Sequence, residues 1–138
     1  MADKDCIFCK IVAGQIPCAK IYEDENVLVF LDTGPLSEGH TLVIPKEHCK
    51  KVHNCSVKAI SAVAAVLPKI TATVASAMGA DGYNVLCNNG RAAGQLVEHL
   101  HFHIIPRKTG DGVFTQWPAF KYPQGKVEKL AAEIRAKL

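Results

Sequence analysis

The sequence predicts a single α+β domain in which helices pack against a mainly antiparallel sheet. The chain has 138 residues, of which 49% are apolar and 21% charged, a composition typical of one globular domain. Short apolar segments separated by turns predict strands, and two longer segments have helical spacing. Because no internal repeat or Ser/Gly-rich linker divides the chain, residues 1–138 are predicted to form one domain.

The first half of the chain predicts a short helical or turn-rich start at 6–13, followed by three strands. Asp24-Glu25 joins the first two strands tightly, as in a hairpin. Pro45 ends the third strand, because proline cannot donate a hydrogen bond to a ladder. The three predicted strands are 21–24, 26–31 and 41–44.

A long helix is predicted over 57–78, with Ser56 as its N-cap and Gly79 at its end. Pro68 should kink or split this helix. Two further strands, 82–87 and 100–105, are predicted on either side of a glycine-containing loop at 88–98.

A C-terminal extension begins at about residue 107. Its loop at 107–125 carries four aromatic residues, and we expect it to cap the sheet rather than to form a wall of a site. The final segment has apolar residues at helical spacing, which is typical of a docking or dimer stripe. The stripe consists of Val127, Leu130, Ala131, Ile134 and Leu138.

Composition and charge argue against several function classes. A formal charge of +3 is too weak to indicate a nucleic-acid binder. No signal peptide is recognisable, and Pro68 and Lys69 interrupt the apolar stretch 59–80, so we expect no membrane span. Six cysteines without an export signal favour reduced thiols and a cytoplasmic protein.

Three histidines in five residues, His99, His101 and His103, are the most informative feature. On a strand, side chains at i, i+2 and i+4 share one face. A single metal cannot be held by all three, because the outer Cα atoms would lie roughly 13 Å apart. A row of neutral imidazoles suits attack on phosphorus or proton transfer, although the polar face of a half-exposed strand is the simpler alternative.

Cys6 and Cys9 have the spacing of half a zinc site. From spacing alone, the pair is also compatible with redox chemistry or with two ordinary thiols. The other half of a zinc site would have to come from a second group of histidines and cysteines. The candidates are His40, His48, Cys49, His53, Cys55 and His99.

Several segments together resemble the histidine triad family, and in particular its Hint-like branch. The row His99-x-His101-x-His103 resembles the family signature, and 88–95 resembles the loop before it. Further similarity is found in the segments 6–11, 30–32 and 39–46, so that the resemblance covers about residues 5–107. It implies a five-stranded antiparallel sheet that pairs with a second copy into a ten-stranded sheet, and therefore a homodimer.

The resemblance also implies a nucleotide hydrolase that needs no divalent metal for turnover. His101 would attack the α-phosphorus of a nucleoside 5′-phosphoramidate or a related AMP conjugate, and water would then release the nucleotide. One alternative is a dinucleoside polyphosphate hydrolase. A second is a zinc-stabilised purine-nucleotide-binding or scaffold protein whose catalysis is vestigial.

Site residues follow from the resemblance by motif position. His103 would contact the phosphate, Asp32 would bind the ribose hydroxyls, and Leu96 stands where relatives often carry a Ser or Thr hydroxyl. The phosphate oxygens would be held by Asn88 and by the backbone of Gly94, Gln95 and Leu96. The base pocket, which ordinary core packing would also explain, would be formed by Phe8, Ile11, Ile16 and Phe30.

For the metal, the resemblance implies zinc held by Cys6, Cys9, His48 and His99. Four protein ligands would close the coordination sphere and make the zinc structural. His99 would then serve the metal, while His101 remains free as the nucleophile.

Overall fold

The computed structural model, which describes residues 2–114 and 116–138, confirms the α+β class and a five-stranded antiparallel sheet. The strands are β1 (Lys20–Glu23), β2 (Val27–Leu31), β3 (Thr41–Pro45), β4 (Gly82–Leu86) and β5 (Phe102–Arg107). The α-helices are α1 (Ile7–Val12), α2 (Val57–Met78) and α3 (Lys126–Arg135). Strand order is β1-β2-β3-β5-β4, which places β3 and β5 side by side near the centre.

The turn between β1 and β2 is closed by the side chain of Asp24. Its Oδ1 accepts hydrogen bonds from the backbone N–H groups of Asn26 and Val27, each at 2.8 Å. Its Oδ2 accepts a hydrogen bond from the Tyr22 hydroxyl at 2.9 Å. An aspartate that satisfies local backbone donors is a common reason for a tight turn.

Both faces of the sheet are apolar, which explains why four consecutive residues of β2 and all of β3 are buried. Helix α2 covers one face, where Val63, Ile70 and Val74 pack against strand residues. On the other face, Phe8 of α1 packs against Phe30 of β2, with ring centroids 5.7 Å apart. The candidate functional site lies on this second face.

Helix α2 continues through Pro68, so the predicted split does not occur. Ser56 caps its start by accepting a hydrogen bond from the Ala59 N–H at 3.1 Å, and Gly79 ends it with φ +57°. We attribute the continuity to packing on the sheet by side chains on both sides of the proline. By length and composition alone α2 could cross a membrane, but the core helix of a soluble protein has the same properties.

Strand β5 begins two residues later than predicted and includes Pro106. The Leu100 N–H donates to the Cys49 carbonyl at 2.7 Å instead of joining the sheet ladder. Pro106 is tolerated because it lies beyond the last β3–β5 pair, Thr41 with Ile104, so the β3–β5 ladder does not require its missing N–H. Its carbonyl accepts a hydrogen bond from the Ser37 hydroxyl at 2.7 Å. His99 and His101 therefore precede the strand rather than lying on one of its faces.

The expectation of six reduced thiols is wrong, because Cys49 and Cys55 form a disulfide. The short 3-10 helix Val52–Asn54 between them turns the chain so that the two Cα atoms come within 5.2 Å. Cys18 and Cys87 are half-buried free thiols.

In the described part of the C-terminal extension, which leaves out residue 115, the aromatic side chains do not cap the sheet as expected. Trp117 is 92% exposed and Phe120 76% exposed, and no residue of α3 is buried. The apolar stripe on α3 lies at the surface, and its docking role remains a prediction.

Candidate active site and metal centre

A cavity of about 440 Å³ opens on the α1 side of the sheet. This volume is in the range of small-molecule sites. Nine of the predicted site residues line it, which brings the predicted base pocket and the two later histidines of the row together. They are Phe8, Ile11, Ile16, Phe30, Asp32, Gly94, Leu96, His101 and His103.

Three of the predicted catalytic and nucleotide-binding residues, Asn88, Gln95 and His99, do not line the cavity. Gln95 is buried and braces the loop at 88–98: its Oε1 accepts from the Gly90 N–H, and its Nε2 donates to the Lys50 carbonyl, both at 2.7 Å. Sequence reasoning missed several lining residues that neighbour the predicted ones along the chain. These include Ile7, Pro17, Cys18, Thr33 and Gly34.

His101 lies at the wall of the cavity and is 6% exposed. Its Nδ1 is 2.7 Å from the carbonyl oxygen of His99. A carbonyl only accepts, so Nδ1 carries the proton and the neutral ring keeps its lone pair on Nε2. The edge of the Phe8 ring contacts the imidazole, with ring centroids 5.2 Å apart. This arrangement gives His101 a nucleophilic nitrogen in a fixed ring orientation.

His103 lies next to His101, with ring centroids 4.9 Å apart. Its Nδ1 is 2.8 Å from Nε2 of His40, a residue that the sequence indicated only as a candidate metal ligand. The signal for this contact was the position of His40 just before β3, since Leu42 of β3 pairs with His103. Burial, together with the nearby rings of His101 and His40, lowers the pKa of His103 to about 4, so the ring is neutral at pH 7.

Asp32 follows β2 and lines the same cavity. Its Oδ1 accepts a hydrogen bond from the Gly34 N–H at 2.8 Å, and its Oδ2 is 3.6 Å from Nε2 of His40. Burial lowers the pKa of His40 despite the opposing effect of this carboxylate. The carboxylate remains partly open to the cavity, with the side chain 22% exposed.

The loop at 88–98 bends sharply at two glycines, Gly90 and Gly94, which have φ of +93° and +87°. Positive φ favours glycine, and a Cβ on Gly94 would lie 3.5 Å from Nδ2 of Asn88. Leu96 stands at the rim with 92% of its surface exposed. The loop therefore contributes backbone groups and the Leu96 side chain to the cavity. Leu96 itself provides no hydroxyl.

Behind the cavity, the side chains of Cys6, Cys9, His48 and His99 converge, with potential ligand atoms all within 4.8 Å of one another. The Nδ1 of His99 is 3.5 Å from the Cys6 sulfur and 3.6 Å from the Cys9 sulfur. The Nδ1 of His48 is 3.3 Å from the Cys9 sulfur. In a tetrahedral zinc site, bond lengths of about 2.3 Å to sulfur and about 2.0 Å to nitrogen separate the ligand atoms by about 3.5 Å. The four residues fit such a site.

The surrounding contacts also suit metal ligation. Nε2 of His99 lies 2.8 Å from the Pro45 carbonyl, so it carries the proton and Nδ1 presents a lone pair to the cysteines. Nε2 of His48 lies 3.6 Å from a carboxylate oxygen of Asp3. Burial lowers the pKa of His99 to about 4 and raises the pKa of the Cys9 thiol. The first effect keeps the imidazole neutral, as ligation requires.

The chain matches known proteins along most of its length. The HIT domain model matches residues 13–110. The chain is 45% identical over 134 residues to adenosine 5′-monophosphoramidase hnt1 of Schizosaccharomyces pombe, covering 96% of this chain and 98% of that protein. It is 48% identical over 130 residues to adenylylsulfatase HINT3 of Arabidopsis thaliana, covering 94% of this chain and 66% of that protein.

Solved structures agree with this assignment. The crystal structure of SMU.412c from Streptococcus mutans superposes with a TM-score of 0.93 at 41% identity, covering 98% of this chain and 86% of that one. A Zn-bound histidine triad family protein from Mycobacterium smegmatis superposes with a TM-score of 0.74 at 35% identity, covering 97% and 98% of the two chains. The chain therefore belongs to the HIT domain family.

Proposed function

We propose that this protein hydrolyses nucleoside 5′-phosphoramidates or related AMP conjugates through a nucleotide held covalently on His101. The observation that carries the proposal is the geometry of that ring: Nδ1–H is held by the His99 carbonyl at 2.7 Å at the wall of a cavity of about 440 Å³. The names of the S. pombe and A. thaliana relatives support adenylate conjugates as the substrate class.

In the first step, Nε2 of His101 attacks the α-phosphorus, a P–N bond to the ring forms, and the bond to the leaving group breaks. The leaving group keeps the bonding electron pair and takes a proton from water. The imidazole becomes positively charged, and its Nδ1–H bond to the His99 carbonyl stabilises that charge. In the second step, water attacks the same phosphorus and gives up a proton to solvent, the P–N bond to the ring breaks, AMP leaves, and the lone pair returns to Nε2. The cycle needs only water as co-reactant.

Substrate would be held by groups on three sides of the cavity. His103 and the backbone of the loop at 88–98 would donate hydrogen bonds to the phosphate oxygens. Asp32 would accept hydrogen bonds from the ribose hydroxyls. The base would contact a set of apolar side chains, namely Phe8, Ile11, Ile16 and Phe30.

Rapid quench with radiolabelled adenosine 5′-phosphoramidate tests this proposal. We expect acid-labile label on the protein during turnover, and its loss in His101→Ala, which should still bind AMP and keep its fold. The exposed His53→Ala variant is the matched control. An unlabelled protein, or a His101→Ala variant with the wild-type rate, would contradict the proposal.

One observation favours a competing function, a purine-nucleotide-binding protein with vestigial catalysis. Leu96 provides no hydroxyl to protonate the departing group, and its exposed side chain has no catalytic chemistry. Tight AMP binding without release of product from any adenylate conjugate would favour this alternative. A dinucleoside polyphosphate hydrolase would instead show the higher kcat/KM on the polyphosphate substrate.

We also propose that Cys6, Cys9, His48 and His99 bind one structural zinc ion. Zinc would link the N-terminal segment to the loops after β3 and before β5, and the closed ligand set would leave it no water to activate. Elemental analysis of protein purified without chelator should find about one zinc per chain. Cys6→Ser should lower this content and Cys87→Ser should not; absence of zinc from the wild type would refute the site.

A homodimer, a cytoplasmic location and one domain over 1–138, with an extension from about 107, complete the proposal. Strand β4 is an edge of the sheet and exposes Tyr83 and Val85, by 47% and 41%. Pairing of two such edges would give a ten-stranded sheet and cover these side chains. Light scattering should report about twice the chain mass of 14.9 kDa, and Val85→Lys should shift the protein toward monomer.

A further inference from the structure

Behind His103, a chain of hydrogen bonds leads away from the cavity to a backbone amide. We propose that His40 is a positioning residue that sets the ring tautomer of His103, so that His103 presents an Nε2–H donor to the phosphate. This inference rests on the proposed function for its catalytic meaning, but the tautomer itself is a property of the free protein.

The Leu36 amide decides which group donates and which accepts in each hydrogen bond of this series. The Leu36 N–H points at Nδ1 of His40, with a donor–acceptor distance of 3.0 Å. A backbone amide can only donate, so Nδ1 of His40 accepts and carries no proton. The single proton of the neutral His40 ring therefore lies on Nε2.

The hydrogen bond between His40 and His103 then fixes the tautomer of His103. Nε2 of His40 lies 2.8 Å from Nδ1 of His103, and since His40 donates there, Nδ1 of His103 accepts. The proton of the neutral His103 ring then lies on Nε2. That nitrogen is buried and has no hydrogen-bond partner within residues 2–114 and 116–138. Buried polar groups are nearly always hydrogen-bonded, so an unpaired donor in a cavity wall indicates that a bound ligand supplies the acceptor.

The segment that carries Leu36 is held from both ends. The Asp32 N–H donates to the His40 carbonyl at 2.9 Å, and the His40 N–H donates to the Ser37 carbonyl at 3.1 Å. The Ser37 hydroxyl in turn donates to the Pro106 carbonyl in β5, the strand that carries His103. His40 is only 3% exposed, so water does not compete for its ring nitrogens. The Leu36 amide is thus held in a fixed position relative to the imidazole of His40.

A metal ion held by Asp32, His40 and His103 would be another explanation for this cluster. Two nitrogens bound to one tetrahedral zinc would lie about 3.3 Å apart. The 2.8 Å separation between His40 and His103 is instead that of a hydrogen bond. The other ring nitrogen of His40 already accepts a hydrogen bond from the Leu36 amide, so it is not available to a metal. The cluster is therefore a series of hydrogen bonds that fixes the ring tautomers, and not a metal site.

The consequence is that two neighbouring imidazoles face one cavity with opposite tautomers. A backbone carbonyl, that of His99, leaves His101 with an Nε2 lone pair. A backbone amide, that of Leu36, acts through His40 and leaves His103 with an Nε2–H. One ring is thereby prepared to attack phosphorus and the other to stabilise the charge that develops on its oxygens.

Long-range ¹H–¹⁵N correlation spectra of the ¹⁵N-histidine-labelled protein at neutral pH test the assignment, because they show which ring nitrogen carries the proton. His103→Asn identifies the signals of His103. We expect the wild type to carry the His103 proton on Nε2. We expect His40→Leu to lose this single tautomer and to lower kcat on adenosine 5′-phosphoramidate about 100-fold, the effect of losing one oriented donor, with little change in KM.

His40→Gln should restore the tautomer and most of kcat, since a glutamine can accept from the Leu36 amide and donate to His103 through the same end group. It also keeps the test decisive if His40→Leu does not fold. His53→Leu, on the exposed 3-10 helix, is the matched control and should match the wild type in both readouts.

A wild-type spectrum with the His103 proton on Nδ1 would overturn the inference. So would a folded His40→Leu variant that keeps the Nε2–H tautomer and wild-type kcat. A third outcome separates the two proposals. If the wild type shows the expected tautomer but turns over no adenylate conjugate, the proposed function is refuted and the positioning role of His40 is still supported.

Discussion

Reduction of the Cys49–Cys55 disulfide should lower the melting temperature of this protein by about 7 °C. The bridge closes a short loop, with a sequence separation of 6. In the chain-entropy description, closing a loop of this length removes about 7 cal/mol/K from the unfolded ensemble, or about 2 kcal/mol at 25 °C. A chain of 138 residues unfolds with an entropy of about 0.3 kcal/mol/K, and the ratio of the two gives the expected shift.

The folded state should survive reduction, because other contacts hold the same loop. The Leu100 N–H donates to the Cys49 carbonyl, and Nε2 of Gln95 donates to the Lys50 carbonyl, both at 2.7 Å. The expected effect is therefore a shifted transition rather than an unfolded protein.

Thermal unfolding followed by circular dichroism, with and without a phosphine reductant, measures the shift. The Cys49→Ala/Cys55→Ala double variant is the control, and its melting temperature should not respond to the reductant. In the denatured, unreduced wild type, four thiols should react with an alkylating agent. Equal melting temperatures for oxidised and reduced wild type would refute the magnitude, and six reactive thiols would refute the bridge itself.

Three further predictions concern the site. Gly39→Ala should destabilise the fold by about 2 kcal/mol, measured by urea denaturation, chiefly because φ is +82°, while the flexible Met78 side chain, 2.5 Å from the new Cβ, would have to shift; an unchanged midpoint would contradict this. Leu96→Ser should raise kcat for phosphoramidates of basic amines, by up to about 100-fold, if a missing proton donor limits departure of the amine; an unchanged kcat would show that it does not. The pKa of His103 is lowered to about 4, below its ordinary value of 6.5, so its contribution to stability is complete above pH 6.5 and declines as pH falls toward 4. His103→Asn should weaken this decline in denaturation midpoints measured across the range, and an identical pH profile would contradict the assignment.

Local patterns were sufficient to predict much of the fold. Alternation and turn residues placed all five strands to within two residues at most of their ends, because Asp24, Pro45 and the glycines act through backbone geometry near their own positions. The split predicted at Pro68 was wrong for the complementary reason. Its local effect on a helix is outweighed by packing of α2 against a sheet made from distant segments.

The site divides in the same way. The histidine row and the cysteine pair can be read directly from spacing, since residue type and separation are properties of the chain itself. The sequence did not reveal that the histidine row begins before β5, nor that Gln95 turns inward to brace its loop. Both depend on hydrogen bonds to the 49–50 segment, which is far away in sequence.

The sequence alone was enough to establish the class of fold and the chemical groups available, and it predicted which residues could attack or ligate. Tertiary structure alone decided which nitrogen of each imidazole is free, that Cys49 meets Cys55, and that His40 stands behind His103. The physical reason is that a proton on a histidine ring follows the donor or acceptor next to it. Those neighbours, the His99 carbonyl and the Leu36 amide, are oriented only when the loops that carry them are packed against the sheet.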